Sequence, residues 1–117
     1  MTCVWKGLIK KLNLDIRPID LVRHIKHNNI STIDILWNGE ELTEQNYREN
    51  IEWIKSIRET RINEGYSCSG CDPLLMLVAQ LYEISIEHIY CKNKITYINK
   101  KNSNKIIKCK SNKNHFY

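Results

Sequence analysis

Cys3 is the first residue whose type and position could do chemistry. Four apolar residues recur at the spacing of one helical face, namely Trp5, Leu8, Ile9 and Leu12. This pattern predicts a helix over residues 3–12, with Thr2 as its cap and Cys3 in its first turn. A helix N-terminus lowers the pKa of a thiol, and its free N–H groups can hold an oxyanion. The position suits a nucleophile, although many cysteines near helix starts have no chemical role.

His115 is the candidate base for such a nucleophile. A catalytic cysteine needs a base, usually histidine, which the fold brings near it rather than the sequence. His115 follows a predicted strand at residues 105–110 and lies at the opposite end of the chain from Cys3. Taken alone, it is better explained as a surface histidine in a fraying terminus.

Cys68 and Cys71 form a Cys-x-x-Cys pair just before a predicted helix. One interpretation is a redox pair, but no convincing strand precedes it as in thioredoxin-like proteins. Another is half of a zinc site, completed by His88, Cys91 or Cys109. The last two cysteines lie in predicted strands, which favours them as core residues. The remaining interpretation is a loop that closes over a site.

The rest of the chain supplies the elements that must position these residues. Its 117 residues, 42% hydrophobic and 26% charged, have ordinary globular composition. The predicted elements are a helix from Pro18 to about Asn28, a strand over 32–37, a helix from Thr43 to about Arg61, a helix over 72–82, and strands over 85–90, 94–98 and 105–110. Helices followed by a late antiparallel meander predict a single α+β domain over residues 1–117, with a small, mainly antiparallel sheet flanked by helices.

Charge and cysteine usage bear on partners and compartment. The net charge is +5, and many lysines lie late in the chain. Because no aromatic stripe is interleaved with them, a solvated hairpin face is favoured over a nucleic-acid surface.

No secretion signal is visible, and no apolar run is long enough to span a bilayer. Five cysteines are an odd number, which favours reduced thiols and a cytoplasmic location. We expect no bound metal or cofactor and no membrane partner.

Three segments, taken in order, resemble OTU (ovarian tumour) cysteine proteases. The opening Cys3-Val-Trp-Lys-Gly-Leu resembles the catalytic helix of that family. Residues 71–75 and 84–90 look like its segment of loop, apolar helix and strand, and residues 106–109 with 114–116 look like its last strand and His-aromatic motif. The middle, at residues 37–40 and 49–50, fits the minimal viral versions. Each motif is short, so the resemblance depends on their order over most of the chain.

The resemblance implies a papain-like or OTU-like architecture and a deubiquitinase activity. Cys3 would attack the carbonyl of a peptide or isopeptide bond after a ubiquitin-like tail, and His115 would transfer the proton. Thr2 and Trp5 would lie near the oxyanion and substrate. Carboxylates would meet the arginines of the tail, the candidates being Glu40, Glu41, Glu64 and Asp72.

Two positions depart from the family pattern. Family members commonly carry Asp-Gly just before the nucleophile, where this sequence has Met1-Thr2, and an Asp or Asn two residues after the histidine, where it has Tyr117. Asn114, next to His115, and Asn112 are the candidates for orienting the imidazole. These departures leave two further hypotheses, a catalytically inactive OTU-like binding module and a zinc- or thiol-based binding protein using Cys68 and Cys71.

Overall fold

Two pairs of helices each precede a group of strands, and all of the strands belong to one mixed sheet. The computed structural model describes residues 3–58 and 71–112. Within these ranges the helices are α1 (Cys3–Lys11), α2 (Pro18–His27), α3 (Glu44–Ser56) and α4 (Cys71–Leu81). The strands are β1 (Ile35–Trp37), β2 (Glu40–Glu41), β3 (Ser85–Tyr90), β4 (Asn93–Asn99) and β5 (Ile106–Ser111). The predicted α+β class is confirmed.

Local signals in the sequence fix where the first helices begin and end. Asn13 adopts a positive φ of 56°, and the N–H of Leu14 bonds back to the Ile9 carbonyl at 3.0 Å, which ends α1. Pro18 begins α2 as predicted, since its fixed φ and missing N–H suit a first helical turn. Thr43 caps α3, and its Oγ1 accepts a bond from the Asn46 N–H at 3.1 Å.

We expect Thr43→Ala to lower the free energy of unfolding by about 1 kcal/mol, because the first turn of α3 loses its side-chain acceptor. Urea denaturation followed by circular dichroism measures the change. Thr43→Ser keeps the hydroxyl and is the matched control, for which we expect a much smaller loss. Equal losses for the two variants would contradict a capping role for the hydroxyl.

The sheet has the strand order β2-β1-β4-β3-β5. Its pairings are antiparallel except for β3 with β5, which is parallel. The predicted late meander is therefore wrong in its last step, because β5 lies beside β3 instead of β4. The connection between β4 and β5 passes around the start of β3, where the Ser85 N–H bonds the Lys105 carbonyl at 2.8 Å. Alternation along a strand predicts its two faces but not which strand lies beside it.

Two predicted elements are longer than the observed ones. Thr32 to Asp34 form a turn instead of the start of β1, and the Ile35 N–H bonds the Thr32 carbonyl at 3.2 Å. Helix α3 ends at Ser56, since Ile57 is extended with φ −64° and ψ 125°. The apolar pattern extends beyond both observed boundaries, but the local backbone sets them, with a turn before β1 and an extended residue after α3.

Helix α4 lies at the centre of the core. Its residues from Leu74 to Ala79 are all buried, which matches the prediction of a central helix that is apolar almost all round. It packs against α3, β1, β3 and β4. Helix α1 packs against α2 and β5. The radius of gyration is 13.1 Å, as expected for a compact chain of this length at about 13 Å.

Candidate functional site

The backbone of Cys3 begins helix α1, as the sequence predicts. The helix is held in place by three buried residues, Val4, Trp5 and Leu8. Trp5 is only 7% exposed, so most of its ring packs in the core and little of it can meet a substrate. The N–H groups of a first helical turn have no intrahelical acceptor, so the backbone at Cys3 belongs to a turn with available donors.

Strand β5 is the element that leads toward His115. It ends at Ser111, four residues before His115 in the sequence. The predicted site residues Thr2, Asn114 and His115 lie outside the described residues. Helix α1 nevertheless packs against β5, and the positive charge of Lys11 acts on the thiol of Cys109 within that strand. The two elements that carry Cys3 and lead to His115 are therefore neighbours.

Cys91 and Cys109 differ in environment. Cys109 is buried on β5, and burial raises the pKa of its thiol to about 11, with Lys11 opposing the shift. A thiol with such a pKa is protonated at neutral pH and is a core residue, as predicted. Cys91 was predicted to be a core residue of a strand, and this is wrong. It is exposed in the tight turn between β3 and β4, with φ of 46°.

A buried polar cluster lies between α4 and the sheet. Asp72, in the first turn of α4, accepts a hydrogen bond from the hydroxyl of Tyr97 on β4. His88 on β3 is fully buried, and its Nε2 lies 2.6 Å from the Oγ of Ser111. Asp72 is close enough for its charge to favour protonation of His88, but burial outweighs it and lowers the pKa of His88. Because Asp72 already has Tyr97 as a partner, it is a poorer candidate for a substrate arginine than an exposed carboxylate.

The lowered pKa of His88 predicts a loss of stability in mild acid. The unfolded chain binds a proton at His88 near pH ~6.5 while the folded chain does not, so the free energy of unfolding falls as pH falls from that value toward the lower folded pKa. We expect denaturant midpoints to drop between pH 7 and pH 5. In His88→Gln the drop should be smaller than in the wild type. A variant with an unchanged pH dependence would exclude His88 as the cause.

The structure describes the surroundings of the residues that were predicted to complete a zinc site with Cys68 and Cys71. Cys71 begins α4, and Cys68 lies outside the described residues. Of the predicted partners, His88 bonds Ser111 and Cys109 is a buried thiol, while Cys91 lies in an exposed turn. Among the side chains that the structure describes, no three of His, Cys, Asp or Glu come together as a metal site.

The remaining acidic candidates lie at the far edge of the sheet. Glu40 and Glu41 form strand β2 and are exposed, and Glu41 accepts a hydrogen bond from Lys100 at 3.1 Å. Glu64 lies outside the described residues. Glu40 is exposed, and no ion pair is seen for it among the described residues. It is therefore more available to a substrate arginine than Glu41.

Sequence reasoning missed the His88–Ser111 and Asp72–Tyr97 pairs. One signal was available, since His88 alternates with buried Ile86 on β3 and therefore belongs to the helix-covered face. The partner Ser111 could not be found in this way, because the pairing of β3 with β5 is a property of the whole sheet.

No protein-family model, curated protein or solved structure matches the chain. In the described part of the chain, none of the helices has the length and apolar character needed to span a membrane.

Proposed function

We propose that this protein is a minimal OTU-like cysteine protease that hydrolyses peptide or isopeptide bonds after a ubiquitin-like tail. Cys3 is the nucleophile and His115 is the general base in this proposal. A papain-like or OTU-like architecture and a cytoplasmic, viral setting belong to the same proposal, which the resemblance of the sequence motifs suggests. The observation that carries it is that α1, which begins at Cys3, packs against β5, which leads to His115.

The position of Cys3 supports the nucleophilic role. The thiolate is the reactive form, and the partial positive charge of a helix N-terminus stabilises it. Helix α1 is anchored by Val4, Trp5 and Leu8, so its first turn is fixed by packing on the core. A rigid first turn is what an oxyanion site requires, because its N–H groups must point at the developing charge before the reaction.

Chain lengths allow Cys3 and His115 to meet. Helix α1 has nine residues and a length of about 13 Å at the usual helical rise. The four residues from Ser111 to His115 can extend at most about 14 Å. The two lengths start from elements that pack against each other, α1 and β5. They support the dyad as part of the proposal.

The chemistry requires only water as a co-reactant. The Cys3 thiolate attacks the carbonyl carbon to form a C–S bond, and the helix N–H groups hold the oxyanion. The C–N bond breaks as the His115 imidazolium gives its proton to the leaving amine. Water then attacks the thioester while His115 accepts its proton. Breaking the C–S bond releases the carboxylic acid and returns the thiolate with its imidazolium.

A ubiquitin molecule carrying an electrophile at its C-terminus tests the proposal. We expect a covalent adduct with the wild type, located on Cys3 by peptide mass mapping, and no adduct with Cys3→Ala. Cys91→Ala is the matched control, since that thiol is exposed in a turn and its loss should leave the yield unchanged. Folded wild-type protein without an adduct contradicts the proposal. Ubiquitin binding without an adduct would instead indicate the inactive binding module.

A further inference from the structure

We propose that β5 is a docking edge, where an extended acidic segment of a partner protein adds to the sheet as a further strand. Strand β5 stands at one end of the order β2-β1-β4-β3-β5, and within the described part of the chain β3 is its strand partner. The outer side of an edge strand presents backbone N–H and C=O groups with which another chain can pair. Such docking needs no protease activity and is a property separate from the proposed hydrolysis.

The length of β5 favours this edge over the opposite one. Strand β5 runs for six residues, or about 20 Å at the usual rise of a strand, whereas β2 at the other edge has two residues. A very short edge strand offers few backbone groups and is one way in which proteins prevent unwanted pairing. The main-chain hydrogen bonds that hold an added strand can therefore form along β5 but hardly along β2.

The side chains of β5 alternate between two faces. Cys109 and Ser111 are buried on the face that the helices cover, and Ile107 is half-buried there. Ile106, Lys108 and Lys110 are exposed on the other face. An added strand would continue this alternation, with apolar side chains beside the buried residues and charged ones beside the lysines.

The exposed face around β5 carries a surplus of positive charge. Lys108 lies opposite Glu87 on β3, and that carboxylate already forms an ion pair with Lys94 on β4 at 2.8 Å. Lys110 lies opposite Ile89, which carries no charge. A carboxylate on an added strand would lie beside Lys108 or Lys110, and opposite charges on neighbouring strands stabilise a sheet. The side chains of β5 therefore select an acidic strand.

The same edge is unsuited to two other occupants. A second copy of β5 would bring lysines beside lysines, and like charges on neighbouring strands are destabilising. Sheets that bind single-stranded nucleic acid present aromatic rings on which the bases stack. The apolar side chains near these lysines are the aliphatic Ile89 and Ile106. They suit the aliphatic side chains of a protein segment, which therefore fits this edge better than a nucleic acid does.

A defined peptide tests the docking edge. The probe is a fluorescein-labelled peptide of eight residues in which glutamate and valine alternate, so that one face of its strand is acidic and the other apolar. Fluorescence polarisation measures its binding to the full chain at physiological ionic strength. Hydrogen–deuterium exchange of the complex reports on the backbone, since the amides of residues 106–111 should exchange more slowly once their edge is paired. A peptide of the same composition, with its glutamates and valines in two blocks, is the control for charge alone.

Lys108→Glu/Lys110→Glu reverses the two charges on β5. We expect it to weaken peptide binding about tenfold, because two attractive cross-strand pairs become repulsive. Arg48→Glu/Lys55→Glu makes the same change of charge on exposed side chains of α3 and is the matched control. Its affinity should stay within about twofold of the wild type, since distant surface charges are screened. If circular dichroism shows the β5 double variant to be poorly folded, Lys110→Glu alone serves in its place, because it lies opposite the uncharged Ile89.

Binding of the alternating peptide, with the expected loss in the β5 variant and slower exchange at residues 106–111, supports the proposal. Absence of binding to folded wild-type protein overturns it. Equal losses in the two double variants, equal affinity for the block peptide, or unchanged exchange at residues 106–111 on binding also overturn it. A single-stranded oligouridylate that binds more tightly than the peptide and displaces it overturns it as well, because the lysines would then serve a nucleic acid.

Discussion

Replacing His115 with alanine should lower kcat/KM for a ubiquitin C-terminal amide by about 10²- to 10⁴-fold, the usual contribution of a general acid–base residue. The leaving amine would then have to depart without a positioned proton donor, and the thiolate of Cys3 would lose its imidazolium partner. Replacing Cys3 with alanine should remove hydrolysis altogether, because the thiolate that attacks the carbonyl is then absent. Progress curves at several substrate concentrations give both values.

His27→Ala is the matched control for the histidine. His27 is exposed near the end of α2, and its loss should leave the rate unchanged. Added imidazole should partly restore activity to the His115 variant if proton transfer is what the variant lacks. A His115→Ala protein that retains the wild-type rate, while Cys3→Ala is inactive, would show that another group serves as the base.

Replacing Ile86 with alanine should lower the free energy of unfolding by about 2–5 kcal/mol, the usual range for removing a large aliphatic side chain from a core. Ile86 is fully buried on β3, opposite Tyr97 on β4 and Ile107 on β5. This loss is a large share of the total free energy of unfolding of a domain, which is usually ~5–15 kcal/mol. Urea denaturation of both proteins under one set of conditions measures the difference.

Ile106→Ala is the matched control for that core variant. It makes the same change on neighbouring strand β5, at a side chain that is 47% exposed. We expect its effect to lie within about 0.5 kcal/mol of zero, as for most surface substitutions. Similar losses for the two variants would mean that the sheet does not bury the face described for it.

Local chemistry explains which parts of the fold the sequence predicts well. Pro18 and Thr43 mark helix starts because their own backbone or side chain satisfies the first turn. The apolar run of α4 predicts a central helix since every direction around it must be buried. These signals act over one or two turns of chain and need no knowledge of the neighbouring elements.

The sheet order and the polar cluster could not be predicted in the same way. Alternation on β3 and β5 gives each strand a buried face but does not say that they pair in parallel. The bond between His88 and Ser111 depends on that pairing, so no local pattern connects the two residues. Cys91 was expected in a strand, but it and Lys92 both adopt positive φ and form an exposed turn. Cys3 was identified by a local signal alone, its position at the start of α1.

The pH dependence of Cys3 alkylation by iodoacetamide tests the central claim most directly. Peptide mass mapping follows Cys3 separately from the other four cysteines of the chain. If the helix N-terminus and His115 stabilise the thiolate, the rate should titrate with a pKa well below the ~8.5 of a free cysteine. The pKa should rise toward that value in His115→Ala. A wild-type pKa at or above that of a free cysteine, unchanged in His115→Ala, would contradict the claim that Cys3 and His115 form a catalytic pair.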